Sequence, residues 1–177
     1  MKRGRGPKRP SPRTGTDMEP AKDVKDTKHR AGKYLTFILA GEAYGLEILR
    51  VREIIAMLDI TPVPRTPAFV KGVINLRGKV IPVIDLRMKF CFPGAAASGE
   101  TCIIVVDIRG AELGIMVDKV SEVLSIAESD IDDTPSFGAS VDTGFILGIG
   151  KTGGGVTILL DIARVLADME TPHVVAA

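Results

Sequence analysis

A chain of 177 residues with 45% apolar and 25% charged residues has the composition of an ordinary globular protein, large enough for one large or two small domains. It has no apolar run near the ~18–20 residues that a membrane-spanning helix needs, and two cysteines, Cys91 and Cys102, are too few for a disulfide framework. The net charge of +1 hides an asymmetry, because residues 1–33 hold 11 Lys/Arg against 4 Asp/Glu and the remainder holds 12 against 18.

The N-terminus, MKRGRGPKRPSPRTG, has a basic flank but no apolar segment after it, so it is not a secretory signal. A cytoplasmic protein with both cysteines as thiols is expected. Residues 1–32 read as a disordered basic tail, rich in Pro, Gly, Lys and Arg and without an aromatic residue to stack on bases. A start at Met18 would remove much of the basic run, and the intact mass of the native protein decides that point.

From Lys33 the character changes. Tyr34 to Leu39 is β-branched and aromatic, the composition of a strand. Gly41 marks a turn, and Tyr44 to Leu49 returns in alternating polar and apolar residues. Val51 to Ile55 continues in β-prone residues. Pro62, Pro64 and Pro67 exclude a helix and a central strand between Ile60 and Pro67. The stretch FVKGVINLRGKVIPVIDL, residues 69–86, is two apolar arms around the bend Asn75-Leu76-Arg77-Gly78, a hairpin signal with a cation at its tip. Pro93 to Gly99 is a small-residue loop. Cys102 to Ile108 is strongly β-prone, and the residues after Asp161 (Ile162, Val165, Leu166, Met169) have the spacing of a short amphipathic helix with Asp161 as N-cap.

The second half repeats the first. AGEAYGLEILRVREII (40–55) aligns without a gap on RGAELGIMVDKVSEVL (109–124) at an offset of 69, and FVKGVINLRGKVIPVIDL (69–86) aligns on FILGIGKTGGGVTILLDI (145–162) at an offset of 76. Two matched blocks in the same order are the signature of a duplicated structural unit. Each unit of ~70 residues has a marginal core of its own, so packing the two together would stabilise both. The repeat is also an internal control. Gly72/Gly148 and Asp85/Asp161 occur in both copies, as does Glu53/Glu122, and belong first to the fold. Asn75, Arg77 and Lys79 face Lys151, Gly153 and Gly155, so the fold does not require them.

No catalytic inventory is legible. GIGKTGGG (148–155) lacks the glycine five positions before Gly150 that a phosphate loop needs, since Phe145 stands there. The acidic run Glu128, Asp130, Asp132, Asp133 lacks the central Gly and terminal Glu of a calcium loop. Neither a Gly-x-Ser-x-Gly elbow nor a cluster with metal-ligand spacing is present, and both histidines, His29 and His173, fall near the chain ends. The expectation is a non-enzyme without metal or cofactor that works through its surfaces.

GVINLRGKVIPVIDLRMKF, preceded by TPAFVKG and YGLEILRVREI and followed by LGIMVDKVSEVL, resembles the CheW family of chemotaxis coupling proteins from about Lys33 to Met169. The resemblance implies a mainly β fold, two intertwined five-stranded SH3-like barrels with a short C-terminal helix. The CheW-like domain would span 33–170, with barrel 1 at about 33–90, barrel 2 at about 100–162 and a C-terminal tail at 171–177. It implies an adaptor between the cytoplasmic tips of chemoreceptors and the regulatory domain of the histidine kinase CheA, located at receptor arrays without inserting into the membrane.

Carried over by position, the resemblance implies a kinase interface at Ile48, Val51, Glu53 and Arg77. It also implies a receptor groove lined by Asn75, Arg77, Cys102, Gly114 and Val123. Cys102 departs from the aliphatic residue familiar at that place, although a buried cysteine packs like a small hydrophobe. The same adaptor in a non-flagellar chemosensory array is a second reading. A nucleic-acid-binding SH3-like protein is a third, opposed by the acidic body.

Overall fold

Strands form where β-branched and aromatic residues concentrate, and turns form at the glycines between them. The computed structural model describes residues 29–169. Most of the basic tail with Met18, and the chain from residue 170 onward, lie outside the described residues. Arg30 is firmly engaged with the body. Its guanidinium donates to Glu128 and Asp133, and Glu128 also accepts from the Arg30 and Ala31 backbone N–H groups.

The first unit is β1 (Gly32–Leu39), β2 (Glu42–Glu47), a 3-10 turn (Ile48–Arg50), β3 (Val51–Ala56), β4 (Val70–Leu76), β5 (Lys79–Asp85) and the one-turn helix α1 (Leu86–Lys89). The second is β6 (Cys102–Ile108), β7 (Ala111–Val117), β8 (Lys119–Ile126), β9 (Ile131–Asp132), β10 (Ile146–Thr152), β11 (Gly155–Leu160) and α2 (Ile162–Val165). The strand expected over 44–49 ends at Glu47, because Ile48–Arg50 is where the chain leaves one sheet for the other.

The two units exchange strands. One sheet has the order β8-β1-β2-β11-β10-β9 and the other β3-β6-β7-β5-β4. Each is therefore built from the first two strands of one unit and the later strands of the other. The equivalence extends to the parallel contacts, β2 with β11 and β7 with β5. The six-stranded count arises because the chain segment after β8 is interrupted before β9 rejoins β10. Its counterpart in the other sheet is Thr61, whose N–H and C=O both bond Val73 of β4 at 2.9 Å. Both sheets thus curl so that their outer strands approach.

The largest apolar cluster lies between the sheets. Leu35, Phe37, Leu39 and Leu46 from one meet Ile84, Ile104, Val106, Ile115 and Val117 from the other, with Ile162, Val165 and Leu166 sealing one end. Smaller cores of four or five residues sit inside each sheet. Since a fully buried Leu, Ile or Phe contributes ~1.5–3 kcal/mol, the shared seam dominates the stability of both halves.

Both one-turn helices are capped as their repeat predicts. Asp85, 3% exposed, accepts from the Arg87 and Met88 N–H groups, and Asp161 accepts from Arg164 N–H. Asp85→Ala is expected to lower stability by ~1–2 kcal/mol in chemical denaturation.

At the β7–β8 crossover a single residue, Asp118, separates the two sheets. Arg87 of α1 reaches it with Nε at 2.8 Å and Nη2 at 2.7 Å, and Asp118 also accepts from the Ala40 N–H of the β1–β2 turn at 3.0 Å. The Arg87 hydrogen bonds, helped by that of Ala40, hold the Asp118 carboxyl below the usual carboxylate range despite partial burial. A depressed carboxylate stabilises the fold above its unfolded-state pKa of about 3.9 and loses that contribution as pH falls through the folded value. Acid titration of stability should therefore be shallower below about pH 4 in Asp118→Asn than in the parent protein.

Candidate functional site: the β3 edge and the Arg77 hairpin

β3 is the outermost strand of the five-stranded sheet, bonded in register, among the described residues, only to β6. Its residues alternate between half-buried (Val51, Glu53, Ile55) and exposed (Arg52, Ile54, Ala56). Ile48 and Val51 pack their inner sides against the shared core and stay partly accessible. Ile54 is 45% exposed and Leu49, on the turn before β3, is 93% exposed. An unpaired strand edge with apolar side chains beside it is suited to docking another protein.

The β4–β5 hairpin brings a cation to this edge. Its loop is the two residues Arg77-Gly78, with φ of 51° and 84°, the left-handed pair of a type I′ turn whose twist matches that of the flanking strands. Asn75 Oδ1 accepts from the Gly78 N–H at 2.8 Å, as Asp107 Oδ1 does from Gly110 N–H at 2.9 Å in the β6–β7 turn. From this turn the Arg77 guanidinium donates to Glu53 of β3. Lys79 pairs with Glu112 at 3.4 Å.

Magnitudes indicate what the Arg77–Glu53 pair is for. Arg77 remains 72% exposed, and an exposed ion pair is worth ~0.2–1 kcal/mol. A side chain in the left-handed region costs roughly 1–2 kcal/mol. Ala40 and Arg109 occupy the same turn position in two other hairpins, so the fold tolerates a side chain there. The fourth hairpin has Gly153-Gly154 at φ of 55° and 83°, so the fold does not ask for one. Neither turn geometry nor the ion pair gives Arg77 a stabilising role large enough to explain it.

The structure brings Glu53 and Arg77 together and places Ile48 and Val51 at the start of the same edge. The residues expected in a groove divide differently. Cys102 opens β6, paired with Val117 of β7 and with Ala56 of β3. Burial pushes its thiol pKa up, against a smaller opposing effect of a hydrogen bond from the Val120 backbone. Cys102 is thus a packed thiol touching β8. Val123, further along β8, is 48% exposed on an outer strand. Cys102 lies beside the crossover at Asp118, and Val123 lies further from it, opposite Leu35.

Two residues expected in the groove are also held by the fold. Gly114 is buried between β5 and β6; a Cβ there would come within 2.8 Å of Ile103 Cγ2 and 3.3 Å of Val83 Cγ2. It is glycine so that these neighbours can close over it. Its repeat partner Gly45 is equally tight, 3.0 Å from Leu159. Asn75 is exposed, and its amide oxygen accepts from the turn that carries Arg77. Leu49 was missed. The signal was available, since the repeat sets this apolar residue opposite Asp118 and a polar counterpart shows that the position need not be apolar.

No group of three or more His, Cys, Asp or Glu is placed to hold a metal ion among the described residues. None of their helices is long and apolar enough to cross a membrane.

Comparison with known proteins gives one answer. Residues 33–170 match the family model of the CheW-like domain. The chemotaxis protein CheW of Klebsiella aerogenes is 40% identical over 138 residues, covering 78% of this chain and 83% of that protein. The chemotaxis protein CheW of Thermotoga maritima is 35% identical over 138 residues, covering 76% and 87%. Among solved structures, the scaffolding protein TtCheW of Thermoanaerobacter tengcongensis superposes with a TM-score of 0.70 at 40% identity, covering 77% of this chain and 92% of that one.

Proposed function

This chain belongs to the CheW-like domain family of non-catalytic chemotaxis scaffolds, and from that premise we propose that it couples the cytoplasmic tips of chemoreceptors to the regulatory domain of the histidine kinase CheA. The observation that carries the reading is the Arg77 hairpin tip beside the β3 edge. A cation in a turn position where the repeat has glycine is paired to Glu53 on a strand edge flanked by exposed Leu49 and Ile54. Apolar residues there supply buried area, and the Glu53–Arg77 pair supplies register and selectivity.

The kinase regulatory domain docks on the β3 edge at Ile48, Val51, Glu53 and Arg77. The receptor tip docks along the junction of the sheets, from Cys102 beside the crossover to Val123 on β8. The two surfaces are separate, so both partners bind at once, and the protein resides in the cytoplasm at receptor arrays. Titration of the isolated kinase domain and of a receptor cytoplasmic fragment tests this. Each is expected to bind alone, and saturation with one should leave the affinity for the other unchanged or raised. Mutual exclusion of the two partners would contradict the reading.

A further inference from the structure

The two junctions where the chain passes from one sheet to the other are equivalent in the repeat and are built differently. At the β7–β8 junction, Asp118 is held by Arg87 on α1 and by the Ala40 N–H of the β1–β2 turn. The repeat places Leu49, Ala163 and Arg109 at the equivalents of Asp118, Arg87 and Ala40. Leu49 has no carboxylate and Ala163 no guanidinium, so the same clasp cannot form at the β2–β3 junction. That junction is nevertheless formed, with Leu49 lying 93% exposed. The architecture therefore closes one crossover without a bidentate clasp of this kind, and the clasp at the other has a reason beyond folding.

Its connections indicate the reason. Arg87 is anchored to the five-stranded sheet, because its own N–H is received by the buried Asp85 at the end of β5 and its Nη1 donates to Pro93 O at 2.9 Å. Ala40 lies in the turn joining β1 and β2 of the six-stranded sheet. Asp118 is the one residue between β7 and β8 and accepts from both sides. Immediately before it, Val117 pairs with Cys102; two residues after it, the Val120 backbone contacts the Cys102 sulfur. Val123 follows on the same strand. Lys119, next to Asp118, pairs with Glu100 at 3.2 Å. A rotation at Asp118 would move Val120 and Val123, on the other sheet, relative to Cys102, whereas the β3–β6 register and the Arg77–Glu53 pair lie wholly within the five-stranded sheet and would move with it as one body.

We propose that Arg87 and Asp118 are positioning residues that fix the angle between the two sheets and so hold the receptor-docking surface in its binding geometry. The proposal rests on the adaptor reading above and deepens it. Bidentate guanidinium–carboxylate geometry suits this task, because its two parallel hydrogen bonds restrict orientation as well as distance. At 20% and 30% side-chain exposure, the pair is also less screened than the open Arg77–Glu53 pair.

The test measures affinity for a receptor cytoplasmic fragment and, separately, for the kinase regulatory domain. It uses the full chain, Arg87→Ala, Asp118→Asn and the double variant, with the folded fraction of each fixed by circular dichroism. Asp118→Asn keeps an oxygen for the Ala40 N–H and guards against a variant that merely unfolds. Each single substitution is expected to weaken receptor binding about tenfold, with the double variant no weaker than either single, as for residues acting as one unit. Kinase-domain affinity should stay within about twofold, which is the split that a general loss of structure does not produce. Unchanged receptor affinity in both folded variants, or equal weakening toward both partners, would overturn the proposal. Failure of the full chain itself to bind the receptor fragment would overturn the adaptor reading, and the positioning role with it.

Discussion

Gly72→Ala is expected to cost ~3 kcal/mol or more and to lower the melting temperature by about 10 °C. Gly72 sits at the register shift between β4 and β5 with φ of 142°. A Cβ there would overlap the Thr61 carbonyl oxygen and stand 2.6 Å from its carbon and 2.9 Å from Pro62 Cα. These are backbone atoms, which cannot step aside as a flexible side chain can. The displaced segment is the one that bonds Val73 in both directions, so the contact that brings Thr61 to β4 would open. Gly78→Ala is the matched control. Its φ of 84° is also positive, but a Cβ there meets nothing within 4 Å, so only backbone strain of ~1–2 kcal/mol is expected. Equal melts for the two variants would contradict this account of the sheet's closure.

Arg77→Gly is expected to do the opposite. Stability should be unchanged or higher by up to ~1 kcal/mol, because glycine relieves the left-handed strain while the exposed pair with Glu53 contributes little. Partner binding should weaken by ~1–3 kcal/mol, the usual loss when an anchoring arginine is removed from an interface. Glycine is a sharper probe than alanine, since alanine would keep the strain and confuse the two effects. A clear drop in the melting temperature with partner affinity intact would assign Arg77 to the fold. Glu53→Gln, which keeps the side-chain shape and removes its charge, should weaken the same binding without reproducing the stability gain.

Much of the architecture could be read from spacing alone. Glycines at the turns, prolines between Ile60 and Pro67, and an aligned repeat located the strands. Asp161 as an N-cap was legible from the residues after it. The helix α1 was not anticipated, although Asp85 aligned with Asp161 and could have announced it. Strand exchange was legible only through family resemblance. Alternation shows which face of a strand is buried, not which strand lies beside it, and nothing local in β1 points to β8 across 80 or more residues. The Arg87–Asp118 clasp was invisible for a related reason: its partners are 31 residues apart and share no periodic pattern.

The candidate site was legible where the repeat supplied a contrast. Arg77 stood out because its counterpart is Gly153, and the structure pairs it with Glu53, another residue of the expected kinase surface. The packing around Gly114 was not legible, because family position locates a residue along a strand without saying which way its missing side chain would point. The close approach of Ile103 shows that it would point inward.

In the proposed role, one chain holds a receptor and a kinase together through separate surfaces. The most direct measurement is co-sedimentation of the kinase with a receptor cytoplasmic fragment, with and without this protein, while following kinase autophosphorylation. The kinase should sediment with the receptor and change its phosphorylation rate only when the protein is present, and Arg77→Gly should abolish most of both effects while remaining folded. Sedimentation and phosphorylation that are indifferent to the protein's presence would contradict the claim.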